Sequence, residues 1–387
     1  MKKILVTLNV FLLFFCFTNI TYAENKENEI NINSRIAVAY DRESGQILWG
    51  KNENNRTAMA STTKIMTAII VVENGNLEDI AEVSAKAAGT GGSSIELKKG
   101  DKVSVLDLLY GLMLESGNDA AVALAEHIGG SVEEFAVLMN NKAEELNLTD
   151  THFVTPHGLD DPKHYTTAVE LAKIADYALK NETISKIVSC KNHTITINGY
   201  SKTLSNTNEL LGNIEGLYGV KTGFTNNAGR CLVTAVKRNN IDIITVVIQA
   251  DTKKDRGEDS KKIIKYVFDN YTRVNIEEVV DENLEKWSNI NKGRININKG
   301  NNSNFEIGRT ELKNKYIAVK KQYINNIDVQ INAIFEYDAP VNKKTVLGQL
   351  KVNIGEENVD NIDLFFTDSI EKKSVLDYFK QCIISYK

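Results

Sequence analysis

Apolar and polar positions in the first two thirds of the chain predict a sheet, a block of helices and further strands. Two short apolar runs, residues 35–40 and 46–49, flank a polar turn that contains Gly45, which is typical of a β-hairpin. Helical periodicity of apolar residues follows at residues 61–72, 105–114, 120–127, 132–146 and 167–179. Strand-like runs return at residues 193–197, 219–222, 231–236 and 241–249, before a helix at residues 260–268. This order predicts an α/β fold with helices packed on an antiparallel sheet.

The pattern changes after about residue 275, where short alternating runs predict a smaller, all-β region at residues 276–368. Those runs lie at residues 294–298, 316–320, 329–335 and 348–354. Residues 369–387 have helical periodicity again, with an apolar face formed by Val375, Leu376, Phe379, Ile383 and Tyr386. The sequence therefore predicts a first domain at residues 24–275, a β-rich domain at 276–368 and an amphipathic terminal helix at 369–387.

The first 23 residues have the organisation of an export signal. Lys2 and Lys3 precede a largely apolar stretch at residues 4–17, and Ala23 precedes the acidic Glu24. The apolar stretch is shorter than the roughly 20 residues that a membrane-spanning helix needs. The sequence therefore predicts a signal peptide at residues 1–23 and an exported mature protein.

Composition excludes several classes of protein. The chain has 387 residues, 42% of them hydrophobic and only 3 of them proline, so it is long enough for two cores and is not a low-complexity sequence. With 46 Lys and Arg against 51 Asp and Glu, the net charge is −5. No general positive field attracts nucleic acid, and a nucleic-acid partner is not expected.

Three short motifs carry the candidate chemistry, at residues 61–64 (STTK), 116–118 (SGN) and 221–223 (KTG). At the start of a helix, Lys64 lies one turn after Ser61 on the same face, so its amine can reach the serine hydroxyl. A lysine desolvated in a cleft can lose its proton near neutral pH and then act as a base. The spacing alone is weak, because residues 369–372 (SIEK) repeat it without the other motifs nearby.

The other two motifs supply polar groups of the kinds that peptide chemistry uses. The Ser116 hydroxyl can relay protons, and Asn118 offers an acceptor for Lys64 and a donor for a substrate amide. On a predicted strand, Lys221 and Thr222 supply a cation and a hydroxyl for a carboxylate, and Gly223 lets another chain approach. Taken singly, the SGN motif is better explained by a helix-capping turn, and the KTG motif by a turn with a solvated lysine.

Together and in this order, the motifs resemble those of the active-site serine penicillin-binding protein and β-lactamase superfamily. The longer strings at residues 57–68, 116–121 and 221–225, with residues 157–160 (HGLD) and Arg256 before the last helix of the first domain, are similar to the low-molecular-mass D-alanyl-D-alanine carboxypeptidases. The resemblance covers essentially the whole mature chain. It implies a β-lactamase/transpeptidase-like antiparallel sheet sandwiched by helices.

The resemblance also implies a mechanism. Ser61 would attack the carbonyl between the two terminal D-alanines of a peptidoglycan stem peptide, and Lys64 would take its proton. Release of D-alanine would leave an acyl-enzyme for water to hydrolyse. Ser116 and Asn118 would shuttle protons and orient Lys64, and the backbone N–H groups of Ser61 and Phe224 would form the oxyanion hole.

Substrate and partners follow from the same resemblance. Lys221, Thr222 and Gly223 would bind the end of the substrate that carries the carboxylate. Arg256 would help there or hold the strand of Lys221. β-Lactam antibiotics would acylate the enzyme, and no cofactor or metal is implied. The terminal helix resembles the membrane anchor of the family, which would place the enzyme at the outer face of the cytoplasmic membrane. The alternative, docking of this helix on the β-rich domain, is less favoured because the helix ends the chain.

Other enzymes of the superfamily are the nearest alternatives. Class A β-lactamases use a glutamate in an ExxLN string, whereas here the residue three before Leu146 is Ala143, which argues for slow deacylation of penicillin. A transpeptidase differs only in passing the acyl group to an amine.

Two alternatives come from other functional classes. A zinc peptidase would have to be built from a cluster that lacks HExxH and is better explained as a polar loop, namely His152, His157, Asp160, Asp161 and His164. A non-catalytic binding module would have lost the nucleophile or the base, and Ser61 and Lys64 are both present.

Overall fold

The computed structural model describes residues 30–302 and 304–385, so the predicted signal peptide at residues 1–23 lies outside the described part. The strands are β1 (Ile36–Asp41), β2 (Ile47–Lys51), β3 (Ile80–Glu82), β4 (Lys102–Ser104), β5 (Asn192–Ile197), β6 (Tyr200–Ser205), β7 (Leu217–Thr225), β8 (Gly229–Arg238), β9 (Ile241–Ala250), β10 (Tyr271–Asn275), β11 (Asn296–Asn298), β12 (Ile307–Arg309), β13 (Tyr316–Lys320), β14 (Ile327–Ala333), β15 (Glu336–Asp338), β16 (Val346–Ile354) and β17 (Glu357–Phe366). The α-helices are α1 (Lys64–Asn74), α2 (Ala85–Ala88), α3 (Val105–Met113), α4 (Asn118–Gly129), α5 (Val132–Glu145), α6 (Ala168–Leu179), α7 (Glu182–Ser189), α8 (Lys253–Asn270), α9 (Ile276–Asn291) and α10 (Val375–Ser385).

A five-stranded antiparallel sheet of order β2-β1-β9-β8-β7 organises the first part of the chain. The strands β8 and β9 are buried along most of their length on both faces, as expected for long apolar runs. The helices α6 and α8 both pack on this sheet. The predicted α/β fold, an antiparallel sheet between helices, is confirmed, and β7 is left at one edge of the sheet.

The helix α1 lies at the centre of the helical block. It contacts α3, α4, α5, α6 and α7, and its residues from Lys64 to Val71 are buried. An almost completely apolar helix of this kind must be surrounded on all sides. The sequence predicted each of these helices except α7, which Asn181 caps by accepting from the backbone N–H groups of Thr183 and Ile184.

Two predicted helix starts in this part were wrong, and one predicted strand lies outside the main sheet. Ser61 does not open an α-helix but lies in a 3-10 turn, Ala60–Thr63, that precedes α1. The strand β5 pairs with β6 in a separate ribbon and does not join the main sheet. The helix α8 begins seven residues earlier than predicted, so Arg256 lies inside it and not before it. Its first turns are polar, but Thr252 caps them by accepting from the backbone N–H of Asp255.

The second region contains a four-stranded antiparallel sheet of order β12-β17-β16-β14 and its own apolar cluster. The prediction of strands alone was wrong, because the region opens with the sixteen-residue helix α9. Ile276 and Val280 are buried in the cluster, and Leu284 and Trp287 pack against it. These four positions lie on one face of a helix, and this periodicity is the signal that would have predicted α9.

The terminal helix is shorter than predicted. Ile370 is buried and pairs with Val341, and Lys372 pairs with Gly300, so these residues extend the β-rich region. The helix α10 then begins after Ser374, whose hydroxyl accepts from the backbone N–H of Asp377. Within residues 30–302 and 304–385, no helix is long and apolar enough to cross a membrane. The predicted apolar-face residue Tyr386 lies outside the described residues.

Candidate active site

The 3-10 turn Ala60–Thr63 brings Ser61 and Lys64 together. In a 3-10 helix, residues three apart eclipse each other, so the lysine side chain lies directly beside the serine. The distance between Lys64 Nζ and Ser61 Oγ is 2.9 Å. The residue before the serine, Ala60, has a φ of 49°, an unfavourable value for a residue with a side chain. Neighbouring groups must therefore hold this turn in place.

Lys64 is completely buried, and acceptors from three segments surround its amine. Besides Ser61, these are Asn118 Oδ1 at 2.7 Å and the backbone carbonyl of His157 at 2.9 Å. Burial lowers the pKa of Lys64 well below its ordinary value, and the charge of Lys221 lowers it further, against the opposing effect of Asp119. Burial therefore favours the neutral form of this amine over the charged one.

The second motif lies where α4 begins. The Asn118 side-chain amide donates to the Gly91 carbonyl at 2.7 Å, and its backbone N–H donates to the Ser93 carbonyl at 2.7 Å. The carboxamide oxygen therefore accepts from Lys64, and the carboxamide nitrogen donates to Gly91. The sequence predicted instead that this nitrogen would donate to a substrate amide. Ser116 is 5% exposed, and no described residue forms a hydrogen bond with its hydroxyl. Buried hydroxyls usually have a hydrogen-bond partner, so the Ser116 hydroxyl is available to a further group.

The third motif lies on β7, the edge strand of the main sheet. Lys221 is 1% exposed and donates to the Thr222 carbonyl at 3.1 Å. Burial, together with the charge of Arg256, lowers the pKa of Lys221 to about 7. The Thr222 hydroxyl lies 2.7 Å from that of Thr207, so a cation and two hydroxyls are close together.

Gly223 lies against the turn that carries the serine. A Cβ at this position would lie 3.1 Å from the Ser61 backbone nitrogen and 3.2 Å from the Ala60 Cβ. The next residue, Phe224, is half-exposed, and the Arg230 guanidinium stacks on its ring at 3.7 Å. Any larger residue at this position would press on the turn of Ser61, so glycine favours the close approach of β7 to the backbone N–H of Ser61.

Arg256 is paired with a carboxylate and is not open to the cleft. Its guanidinium donates to both Glu209 oxygens, at 2.8 and 2.6 Å, and to the Cys231 carbonyl at 3.4 Å. Cys231 is the partner of Gly223 in the register of β7 and β8. The sequence predicted that Arg256 either binds the substrate carboxylate or holds the strand of Lys221. Its contacts favour the second role.

The segment of residues 154–164 covers the turn from the other side. Gly158, at a φ of 84°, is so close to the turn that a Cβ would lie 1.9 Å from the Ala60 carbonyl oxygen. Two residues of the alternative zinc cluster have other partners in the structure: Asp160 accepts from the Thr225 hydroxyl at 2.6 Å, and His164 Nε2 lies 2.8 Å from the Thr63 hydroxyl oxygen. No group of three potential metal ligands occurs among the described residues.

Sequence reasoning missed several groups at this site. The backbone carbonyl of His157, and not its side chain, accepts from Lys64, and Thr207, Glu209 and Gly91 contact the motif residues. The HGLD string at residues 157–160 was a signal for the first of these. The other three lie in loops, where no periodicity marks a contact across the fold.

Comparison with known proteins gives one consistent result. A family model described as D-alanyl-D-alanine carboxypeptidase matches residues 22–252. The D-alanyl-D-alanine carboxypeptidase DacF of Bacillus subtilis is 32% identical over 390 residues, which is 98% of this chain and 98% of the relative. The crystal structure of the D-alanyl-D-alanine carboxypeptidase DacD from Francisella tularensis is similar with a TM-score of 0.72 at 26% identity, covering 89% of this chain and 95% of that one. For penicillin binding protein 5 from Haemophilus influenzae, the TM-score is 0.70 at 28% identity, covering 88% and 98%.

Proposed function

Because the chain belongs to the D-alanyl-D-alanine carboxypeptidase family and is a serine-type hydrolase of the penicillin-binding kind, we propose that Ser61 is its nucleophile and Lys64 its general base. The observation that carries the proposal is the 2.9 Å distance between Lys64 Nζ and Ser61 Oγ at a fully buried lysine. A serine hydroxyl is a weak nucleophile, and a neighbouring base with a lowered pKa activates it.

The acceptors around Lys64 determine where its lone pair points. A neutral amine has two hydrogens, and the carbonyl oxygens of Asn118 and His157 can only accept them. The lone pair is then left for the third neighbour, the Ser61 hydroxyl. Lys64 therefore takes the proton of Ser61 as the serine oxygen attacks the carbonyl carbon between the two D-alanines.

Attack forms the bond between Ser61 Oγ and the carbonyl carbon and places a negative charge on the carbonyl oxygen. The backbone N–H groups of Ser61 and Phe224 donate to this oxyanion, and the closeness of Gly223 to Ser61 supports their pairing. The C–N bond then breaks. Lys64 returns its proton to the departing D-alanine nitrogen, and the unpartnered hydroxyl of Ser116 relays it.

The substrate carboxylate binds at Lys221 and Thr222, where a buried cation and a hydroxyl are free of acidic partners among the described residues. An anion that enters this site favours the charged form of Lys221, which burial alone disfavours. Gly223 lets the extended peptide lie along the edge of β7. Arg256 supports the strand from behind, through its contact with the Cys231 carbonyl.

Hydrolysis of the acyl-enzyme by water completes the turnover of the peptide. A β-lactam antibiotic opens its ring on the same serine and leaves a penicilloyl group on Ser61. The alternative of a β-lactamase is not favoured by the family match or by the curated relatives.

Intact-mass spectrometry of the mature protein with benzylpenicillin tests the assignment. Wild type is expected to gain one penicilloyl mass, and Ser61→Ala none. Ser369→Ala, which changes the serine of the other SxxK string, is the matched control and is expected to label fully. Labelling of Ser61→Ala, or loss of labelling in Ser369→Ala, would contradict the proposal. Turnover of penicillin with rapid loss of the adduct would indicate a β-lactamase.

We propose in addition that residues 1–23 are a signal peptide that directs export of the protein. We also propose that the helix α10 binds the membrane surface. Supporting this, Val375, Leu376, Phe379 and Ile383 on α10 are 63–73% exposed. A helix with such a face binds the lipid interface without spanning it. Residues 24–275 then act as the catalytic domain, and residues 276–368 hold it away from the lipid. Separate apolar clusters in these two parts of the described chain support this division.

A further inference from the structure

A buried histidine contacts the back of the turn that carries Ser61. His164 is 3% exposed, and its Nε2 lies 2.8 Å from the Thr63 hydroxyl oxygen. Thr63 is 1% exposed, and its hydroxyl donates to the Ala60 carbonyl at 2.8 Å. The three residues form one hydrogen-bonded chain that ends at the residue before the serine.

The partners of His164 assign its protonation. Its Nδ1 accepts from the backbone N–H of Val154 at 3.0 Å, so the ring proton is on Nε2, which donates to Thr63. Burial lowers the pKa of His164 to about 4, with a further lowering by His152 and an opposing effect of Asp161 and Asp160. The imidazole is therefore neutral at neutral pH, and its single N–H is committed to Thr63.

The turn needs this support because Ala60 has a positive φ, a conformation that glycine adopts easily and alanine does not. The same segment also holds the base: the His157 carbonyl accepts from Lys64, and the Pro156 carbonyl accepts from the Thr67 hydroxyl at 2.6 Å. The bond between His164 and Thr63 thus joins the segment that holds the base to the turn that holds the nucleophile.

Resting on the proposed roles of Ser61 and Lys64, we propose that His164 is a positioning residue for acylation, and that its bond to Thr63 sets the distance between nucleophile and base. His164 touches neither substrate nor any reacting atom. It acts through Thr63 and Ala60 alone, and its effect falls on the acylation step and not on the initial binding of penicillin or peptide.

Two substitutions of His164 separate this role from a general contribution to folding. A glutamine places its amide nitrogen near the position of Nε2 and can donate to Thr63. An asparagine places its oxygen near the position of Nδ1 and can accept from Val154, but it does not reach Thr63. His164→Gln therefore keeps the bond that the proposal requires, and His164→Asn keeps only the bond within the loop.

The experiment measures acylation of the full mature chain over a range of benzylpenicillin concentrations, which separates the dissociation constant of the first complex from the acylation rate constant. His164→Asn is expected to lower the rate constant about 10- to 100-fold with the dissociation constant unchanged, as a misplacement of about 1 Å would. His164→Gln is expected to acylate within about threefold of wild type. Equal rates for the two variants would overturn the proposal.

Thr63 gives a second, independent pair in case a histidine variant does not fold. Thr63→Ser keeps the hydroxyl and is expected to be acylated as fast as wild type. Thr63→Val is expected to lower the acylation rate constant as much as His164→Asn does. The double variant Thr63→Val/His164→Asn is expected to have the same acylation rate constant as either single variant, because both substitutions break the same series of hydrogen bonds. Additive losses, or a fast Thr63→Val, would refute the role. Absence of an adduct at Ser61 in wild type would instead refute the proposed function.

Discussion

Gly223 lies so close to Ser61 that a methyl group on the glycine would come within 3.1 Å of the serine backbone nitrogen. Few real Cβ atoms have so short a contact, and the atoms that would have to move belong to the turn of the nucleophile. We expect Gly223→Ala to lower the rate of acylation by benzylpenicillin about 10- to 100-fold, through misplacement of the oxyanion hole. Gly257→Ala, whose nearest neighbour would lie at an ordinary 3.5 Å, is the matched control. Equal rates for the two variants would show that the close approach has no catalytic role.

Replacing the base tests the activation of the serine. We expect Lys64→Met to lower the acylation rate constant about 10²- to 10⁴-fold, the usual contribution of a general base, with little change in the first binding step. Rapid-mixing kinetics with a chromogenic β-lactam measures both. Lys372→Met, at the lysine of the other SxxK string, is the control and is expected to react like wild type. A fast Lys64→Met would require another base.

The two buried lysines predict a bell-shaped dependence of kcat/KM on pH. Lys64 must be neutral, so activity rises as the pH rises through its lowered pKa. Lys221 must be charged to bind the carboxylate, so kcat/KM falls as the pH rises through its pKa of about 7. Bound carboxylate raises the pKa of Lys221, so the alkaline limb of kcat is expected at higher pH than that of kcat/KM. Hydrolysis of a peptide ending in D-Ala-D-Ala between pH 5 and 10 measures both limbs, and coincident limbs would contradict the role of Lys221.

Arg256 is expected to act on the pH profile through its charge. That charge lowers the pKa of Lys221, so Arg256→Met is expected to move the alkaline limb of kcat/KM to higher pH. The same measurement on Arg294→Met, which removes a charge on the second region, is the control. A limb that stays in place, with KM strongly raised, would indicate instead that Arg256 binds the carboxylate itself.

The membrane proposal is tested by putting charges on the apolar face of α10. We expect Leu376→Glu/Phe379→Glu to abolish co-sedimentation of the mature chain with phosphatidylglycerol vesicles, because burying these side chains in lipid provides the binding energy. Penicillin labelling should be unchanged. Ile290→Glu, an exposed apolar residue on α9, is the control and should still sediment. Retained binding of the double variant would indicate that α10 docks elsewhere.

The parts of the site that the sequence predicted are local. Ser61 and Lys64 are three residues apart, and their contact follows from any helical turn. The apolar runs of β8 and β9 likewise predicted the centre of the sheet, and the motif resemblance predicted its relation to the helices. The helix α9 was not predicted because only two of its residues, Ile276 and Val280, are fully buried, and the short alternating runs that follow it are typical of strands.

The parts of the site that the sequence did not predict are contacts between distant segments of the chain. Glu209 carries no motif, yet it pairs with Arg256, which is 47 residues away in sequence. The bond between Thr63 and His164 spans 101 residues. A hydrogen bond of this kind depends on the backbone path of two loops, and neither residue type nor spacing encodes that path.

The proposed base, Lys64, is positioned only when distant parts of the chain have come together. Its acceptors come from the turn, from the start of α4 and from a carbonyl 93 residues further along the chain, so an incompletely folded chain has a serine no more reactive than any other. A fluorescent penicillin added to newly synthesised chains is then expected to label the folded molecules and not the unfolded ones, so that labelling measures the fraction of chains that has folded.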